Sequence, residues 1–341
     1  MDTRLEKIEA FLKEKGEKSF RIQQIKDAWY SQPEWDQITT LSKDLQQELS
    51  TKFGWYAFEA PEVFESKKDG TKKALITLND GEKVEAVYMP NARRTKTICV
   101  SSQVGCAMAC TFCATGTMGF IRDLTVDEIV DQVRYFKFTE PDEEPITNIV
   151  FMGMGEPLAN YEAVKKAVKI LVDDMEIGPT RITVSSVCAP VVLARILKDD
   201  DFPTVRMALS VHAGTDETRT KIVPTHKATS MQKIVKWCED YLEKRGNRRH
   251  HITIEYVMLL NVNDMPSEAR AFVQHFGHLK DQLKLNLIPW NHTRADMQSS
   301  SKKNLEAFQN IVEDAGIATT IRYSKGLDID AACGQLVVEK K

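Results

Sequence analysis

Residues 97–113 read TICVSSQVGCAMACTFC, a short β-branched strand that runs directly into three closely spaced cysteines. The spacing is C-x3-C-x2-C at Cys106, Cys110 and Cys113, and a loop of that length can turn its thiols toward a common centre. Thiolates are the ligands that iron–sulfur clusters take, and a [4Fe–4S] cube has four irons to fill. Three protein ligands leave one iron open to a small molecule, much as a catalytic zinc site keeps one position free. From spacing alone, a zinc site and a chance group of core cysteines are the alternatives. Zinc motifs usually come as two C-x2-C pairs or a mixed Cys/His set, and the chain has no second pair.

Beyond this loop, strand and helix patterns alternate. Apolar, β-branched runs at 97–101, 147–152, 181–186, 205–211, 252–259, 283–289 and 318–324 predict strands with helices between them. The clearest helix starts at Thr125, where T-V-D-E forms a capping box ahead of Ile129, Val130, Val133 and Phe136. Apolar strands in this alternation predict a parallel sheet. About six units are too few for a closed eight-stranded barrel, so the expected architecture is α/β, an open, partial (β/α)6 TIM-like barrel. Chemistry in such folds sits on loops at the C-terminal ends of the strands, where the cysteine loop falls.

Upstream, Leu5, Ile8, Phe11 and Leu12, then Ile22, Ile25, Ala28 and Trp29, recur at helical spacing. Residues 1–60 are therefore expected to form a small helical domain. Residues 61–94 predict a β-hairpin linker, with KKALITL and KVEAVYMP alternating around Asn79-Asp80-Gly81. Residues 95–341 are expected to form the barrel core with a C-terminal cysteine loop.

The 341 residues, 42% hydrophobic, suffice for one large core, and the net charge is −3. No global basic excess exists, so nucleic-acid contact must rest on local patches. Candidates are Lys67-Lys68, Lys72-Lys73, Arg93-Arg94 with Lys96, and Lys244-Arg245 through Arg248-Arg249, the group at 93–96 standing nearest the cysteine loop. No run of 18 apolar residues occurs, and the charged N-terminus lacks the apolar core of a signal peptide. A soluble cytoplasmic protein with no membrane partner is expected. Seven cysteines is an odd count for a secreted framework; in a reducing compartment a disulfide is transient and catalytic.

The loop Gly153-Met154-Gly155-Glu156-Pro157 follows a strand directly. Its glycines admit close approach of a ligand, and its carboxylate can accept from an ammonium group. Ser185, Ser210, His212 and Asn291 also fall at strand ends. Cys333 lies in D-I-D-A-A-C-G-Q-L, polar surroundings ill suited to a core position, and its loop should cover the barrel mouth. Cys238 reads as a packing residue.

Together these stretches closely resemble the RlmN/Cfr family of radical-SAM RNA adenosine methyltransferases. The matching text is CVSSQVGCAMACTFCATGTMGF, LTVDEIVDQV, FMGMGEPLANY, SVHA, NLIPWN and DIDAACGQL, in order over nearly the whole chain. The resemblance implies that Cys106, Cys110 and Cys113 hold a [4Fe–4S] cluster. It implies that S-adenosylmethionine, two molecules per turnover, contacts Gly155, Glu156, Ser185, Ser210, Val211, His212 and Asn291. Cys333 matches the methyl-carrying cysteine, Cys99 the resolving thiol that forms a transient disulfide with it, and Glu85 the proton acceptor. By the same resemblance the cysteine takes one methyl group, and a 5′-deoxyadenosyl radical then activates it for addition to an electrophilic adenine carbon.

The implied partners are 23S rRNA and also tRNA, contacted by residues 1–60 among others, and an electron donor such as flavodoxin or ferredoxin, with the enzyme a monomer. Pro157 and Pro289-Trp290-Asn291 look like the C2-methylating branch, whereas FRIQQIKDA and LTVDEIVDQV resemble the C8-methylating, resistance-associated branch. C2 is the favoured carbon and C8 the alternative. Two positions depart from the family: Cys188 stands in a turn that usually holds glycine, and His226 replaces an asparagine. An electron carrier would need four cysteine ligands. A dead RNA-binding scaffold, or a radical enzyme without a methyl-cysteine, would lack Cys99 or Cys333.

Overall fold

Thr3 caps the first helix in a reciprocal box with Glu6, and Ser42 caps the third, fixing where each begins. These are α1 (Arg4–Glu14), α2 (Ser19–Trp29) and α3 (Lys43–Lys52). Their apolar faces converge on Trp29, Trp35 and Trp55, whose ring centroids lie 4.7 to 5.6 Å apart. The computed structural model describes residues 2–91, 95–140, 146–246, 251–293 and 295–338.

Strands β1 (Glu62–Glu65), β2 (Lys72–Thr77) and β3 (Lys83–Pro90) follow as an antiparallel meander, and β3 pairs antiparallel with β4 (Lys96–Cys99). The hairpin is thus continuous with the main sheet. Strand β1 was not legible, since E-V-F-E is exposed throughout and no buried face imposes alternation on it. Next, β5 (Gln103–Gly105) and β6 (Phe120–Asp123) form a two-stranded ribbon that brackets the cysteine loop and the short α4 (Ala114–Thr117).

The barrel units are α5 (Val126–Thr139), β7 (Asn148–Phe151), α6 (Tyr161–Asp173), β8 (Ile182–Ser186), α7 (Pro190–Lys198) and β9 (Arg206–Ser210). After them come α8 (Asp216–Ile222), α9 (Met231–Arg245), β10 (Ile252–Met258), α10 (Pro266–Phe276), β11 (Leu283–Pro289), α11 (Lys302–Asp314) and β12 (Ala318–Ile321). Thr125 caps α5 in the expected box with Glu128. One ten-stranded sheet runs β1-β2-β3-β4-β7-β8-β9-β10-β11-β12, parallel from β4 onward. The partial barrel therefore has six strand–helix units and β12 as a further strand.

Its two faces differ in chemistry. On the outer face Tyr256 packs against Phe272 of α10 and Phe308 of α11, and Tyr88 of β3 stacks on Phe136 of α5. Directly paired residues share a face, so Ser210, Glu255 and Asn286, in register on β9, β10 and β11, point together into the barrel. The apolar side faces the helices and the polar side lines the interior, so the strands position the site as well as the core.

Candidate active site

The cysteine loop is tied down at both ends and in the middle. Cys106 N donates to Gly119 O at 2.9 Å, Thr111 N to Ile222 O at the end of α8 at 3.0 Å, and Ala114 N to Gly334 O at 2.7 Å. Burial pushes the Cys106 thiol up to about 12, with Cys113 adding to the effect. Burial raises Cys110 as well, with Cys113 and Cys106 contributing. Burial thus disfavours the thiolates of Cys106 and Cys110, and a bound cationic centre would favour them. Among the described residues no three His, Cys, Asp or Glu side chains are arranged to hold a single metal ion. A cube instead takes one thiolate on each of three irons, and the three thiols suit that demand.

At the adjoining strand ends, close approach is built into the backbone. A Cβ on Gly153 would lie 2.7 Å from Val100 O, and Gly155, at φ +100°, would place one 2.6 Å from Gln103 Cβ. Glu156 is buried and bridges two loops, accepting from Leu158 N at 3.1 Å and Val187 N at 2.8 Å. Burial pushes it up to about 7, against those hydrogen bonds. Ser185 and Ser210 hydroxyls lie 3.3 Å apart. His212, at φ +62°, accepts from Val257 N at Nδ1 over 3.1 Å, and its ring meets Phe112 of the cysteine loop edge-on at 4.7 Å. Burial and the Arg219 charge drive its pKa down to about 3, so the ring is neutral and its Nε2 carries the proton.

Cys333 opens on a cavity of about 100 Å³ that Cys113, Phe112, His212, Trp290 and Asn291 also line. Its loop is stapled over the barrel mouth. Asn291 Nδ2 donates to Cys333 O at 2.9 Å, Thr115 Oγ1 to Leu336 O at 2.6 Å, and Val337 N to Glu85 Oε2 at 2.9 Å. Glu85 is buried, pairs with Lys73 at 2.9 Å, and is raised by burial against the pull of that lysine. Cys333 is exposed as a residue, and the cavity walls around its sulfur raise the thiol against the pull of Arg322. Burial and the nearby Cys333 push Cys99 up to about 12. All seven cysteines are free, so the disulfide expected between Cys99 and Cys333 is not formed in this state.

The expected site residues thus gather at one end of the barrel. Several others were missed. Arg219 of α8 is 1% exposed and donates to Val211 O at 2.9 Å, Val187 O at 2.7 Å and Ser210 O at 3.1 Å. Its fourth partner is His226 Nδ1, whose ring in turn donates from Nε2 to Asp216 at 2.6 Å. The departure at His226 is therefore an internal strut of the site. Cys188 sits at φ +67°, which explains why glycine suits that turn. Glu255 accepts from Asn286 at 3.0 Å, and Arg322 stands 3.9 Å from its other oxygen. A carboxylate in the middle of ITIEYVM was the signal that could have found it.

The basic runs fare less well. Lys96 is buried, Lys72 pairs with Glu140 at 2.7 Å, and Lys244 and Arg245 donate to the carbonyls of Leu197 and Phe202. Positions 93–94 and 248–249 lie outside the described residues. Lys67 and Lys68 are exposed.

The chain matches the Radical SAM superfamily over residues 100–273. It is 40% identical over 343 residues to the dual-specificity RNA methyltransferase RlmN of Marinobacter nauticus, covering 97% of this chain and 90% of that protein. The protein of the same name from Geotalea uraniireducens is 40% identical over 337 residues, covering 97% and 94%. A solved radical SAM methyltransferase from Sphaerobacter thermophilus is 35% identical and superposes with a TM-score of 0.91 over 98% of each chain. No helix among the described residues is long and apolar enough to cross a membrane.

Proposed function

The chain belongs to the RlmN family of radical SAM RNA methyltransferases, and on that premise we propose that it methylates C2 of adenosine in RNA, in both 23S rRNA and tRNA. Its cofactors are a [4Fe–4S] cluster and S-adenosylmethionine, which when bound supply the methyl group and the 5′-deoxyadenosyl radical that activates it. The protein's own residues do the rest. Cys106, Cys110 and Cys113 hold the cluster. Gly155, Glu156, Ser185, Ser210, Val211, His212 and Asn291 bind and orient S-adenosylmethionine, the neutral His212 offering an N–H and Glu156 a carboxylate.

Cys333 gives up its proton and forms a carbon–sulfur bond to the methyl group as the methyl–sulfonium bond of S-adenosylmethionine breaks and S-adenosylhomocysteine leaves, making the protein the methyl carrier. After that carbon has bonded to the adenine, Glu85 accepts the proton lost from the ring, a role suited to a carboxyl raised by burial. With the adduct's unpaired electron passed back to the electron-transfer partner, Cys99 loses its proton and attacks the Cys333 sulfur. The bond from Cys333 to the methylene carbon breaks with its electron pair going to that carbon, which takes a proton to become the methyl group. A disulfide forms that an external two-electron reductant reopens. A flavodoxin- or ferredoxin-like donor supplies electrons to a monomeric, cytoplasmic enzyme.

One observation carries the reading: Cys333 opens on the cavity that the cluster ligand Cys113 lines, with Cys99 near enough for the Cys333 charge to act on it. Cys333→Ala should abolish RNA methylation while the variant still binds its cluster, seen by visible absorption. Mass spectrometry of nucleosides from rRNA and tRNA treated with the native enzyme should find 2-methyladenosine. Undiminished methylation by the variant would sink the cysteine-carrier mechanism, and 8-methyladenosine would overturn the choice of carbon.

A further inference from the structure

One row of side chains crosses the sheet from its free edge to the active site. Phe64 of β1 lies opposite Lys73 of β2, Lys73 opposite Val87 of β3, and Val87 opposite Cys99 of β4. Opposed residues project from the same face, so Phe64 is the outermost member of a row that ends at the resolving thiol. Glu85, two residues before Val87, shares that face. Lys73 Nζ stands between Phe64 and Glu85, 2.9 Å from the carboxylate and 5.7 Å from the centre of the Phe64 ring.

Phe64 keeps 38% of its surface exposed on a strand with no buried residue, so part of its ring stands open to solvent outside the core. Edge strands normally carry charge or proline in place of large apolar groups. The turn after β1 is fastened to the Cys333 loop. Ser66 Oγ donates to Asp328 at 2.7 Å, Lys67 N to Asp328 at 3.2 Å, and Gly326 N to Asp69 at 2.9 Å. Those bonds fix the ring relative to the methyl-carrying loop. Lys67 and Lys68 stand exposed just beyond it, while the acidic neighbour Glu65 turns to the opposite face toward Lys72.

We propose that Phe64 is a stacking platform for an unpaired RNA base adjacent to the methylated adenosine, an inference that rests on the RNA methyltransferase reading above. Three strand spacings separate Phe64 from Cys99, about 14 Å. That is too far for the reacting base and within reach of a neighbour. Extruding a target base leaves the flanking bases without a stacking partner, and an aromatic ring supplies one whatever the sequence. The nearby lysines complement the phosphates.

Steady-state methylation of an rRNA fragment by the reconstituted full-length enzyme tests this. Phe64→Ala should raise KM for RNA about tenfold with kcat little changed, a typical loss for one stacked base. Phe64→Trp should keep the native KM, and so should Val63→Ala, which removes an equally exposed apolar side chain from the other face of β1. Methylation of Cys333, measured by mass spectrometry without RNA, should be the same in all of them. A native KM in Phe64→Ala overturns the proposal, as does an equal loss in Val63→Ala or impaired Cys333 methylation in Phe64→Ala. A native enzyme that methylates no RNA overturns the function itself together with the platform built on it.

Discussion

Two buried arginines hold this molecule in different ways. Arg134 of α5 is wholly buried where the N-terminal helices meet the barrel. Its guanidinium lies 4.4 Å from the Trp29 ring, 4.9 Å from Trp55, 5.4 Å from Tyr56 and 6.0 Å from Tyr30. It meets Asp131 at 2.6 Å and the Trp55 carbonyl at 3.0 Å, but its Nε and Nη2 have no hydrogen-bond partner. Among the described residues Arg219 pairs with no carboxylate and spends its donors on three carbonyls and a histidine. Aromatic faces hold a cation in place without dictating how anything else is oriented. Carbonyls at the ends of two strands are oriented by the fork that bonds them. The first arginine joins two masses; the second sets the geometry of the loops that carry Ser210, Val211 and His212.

Substitution should separate these roles. Arg219→Met leaves three buried carbonyls without donors, and we expect it to lower stability by about 3–5 kcal/mol and S-adenosylmethionine affinity more than tenfold. Chemical unfolding and calorimetric titration of the cluster-loaded protein would measure the two losses. Unchanged affinity in a folded variant would reduce Arg219 to a packing residue. Arg134→Met should cost less, about 1–2 kcal/mol. Asp131 keeps its contacts with Arg4 and with Ala57 N, and the two unpaired nitrogens are removed with the charge. Its affinity for S-adenosylmethionine should match the native enzyme. A tenfold loss there would mean that the N-terminal unit, through α5, also shapes the site.

The same contrast explains what could be read in advance. The seven parallel strands, the cap at Thr125 and the cysteine loop each announce themselves locally, through alternation, a four-residue box or a spacing. Glycines 153 and 155 likewise sit in a short motif whose close approach only glycine allows. Arg134 and Arg219 have no local signature. Each works through partners far away in the chain, such as Trp29 and Trp55 for one and Val187 for the other. Phe64 is hidden for the opposite reason, since an exposed edge carries no pattern and its meaning lies in a register shared by four strands. Within the basic runs a string of charges does not say which side chains are free, because the stems of Lys72, Lys244 and Arg245 reach neighbouring carboxylates and carbonyls as readily as phosphates.

The finest test uses acid. His226 accepts from Arg219, and burial together with that guanidinium holds its pKa below 6.5, against the pull of Asp216. His212 is likewise depressed, to about 3. At these two histidines the native state refuses protons that the unfolded chain takes up below about 6.5, so their contribution to stability is full above that pH and falls as pH drops beneath it. Glu156, raised to about 7, contributes in the opposite direction. One such proton contributes up to about 1.4 kcal/mol per pH unit. His226→Asn should leave stability at pH 8 within the usual range of a mild buried substitution and reduce the acid slope by up to that amount. Arg134→Met should leave the slope untouched, because no histidine belongs to its cage of rings. Urea unfolding of the cluster-free protein between about pH 8 and pH 5 measures both. An identical slope in native and His226→Asn proteins would show that the strut does not titrate with folding, and the distinction between the two arginines would then rest on their carbonyl partners alone.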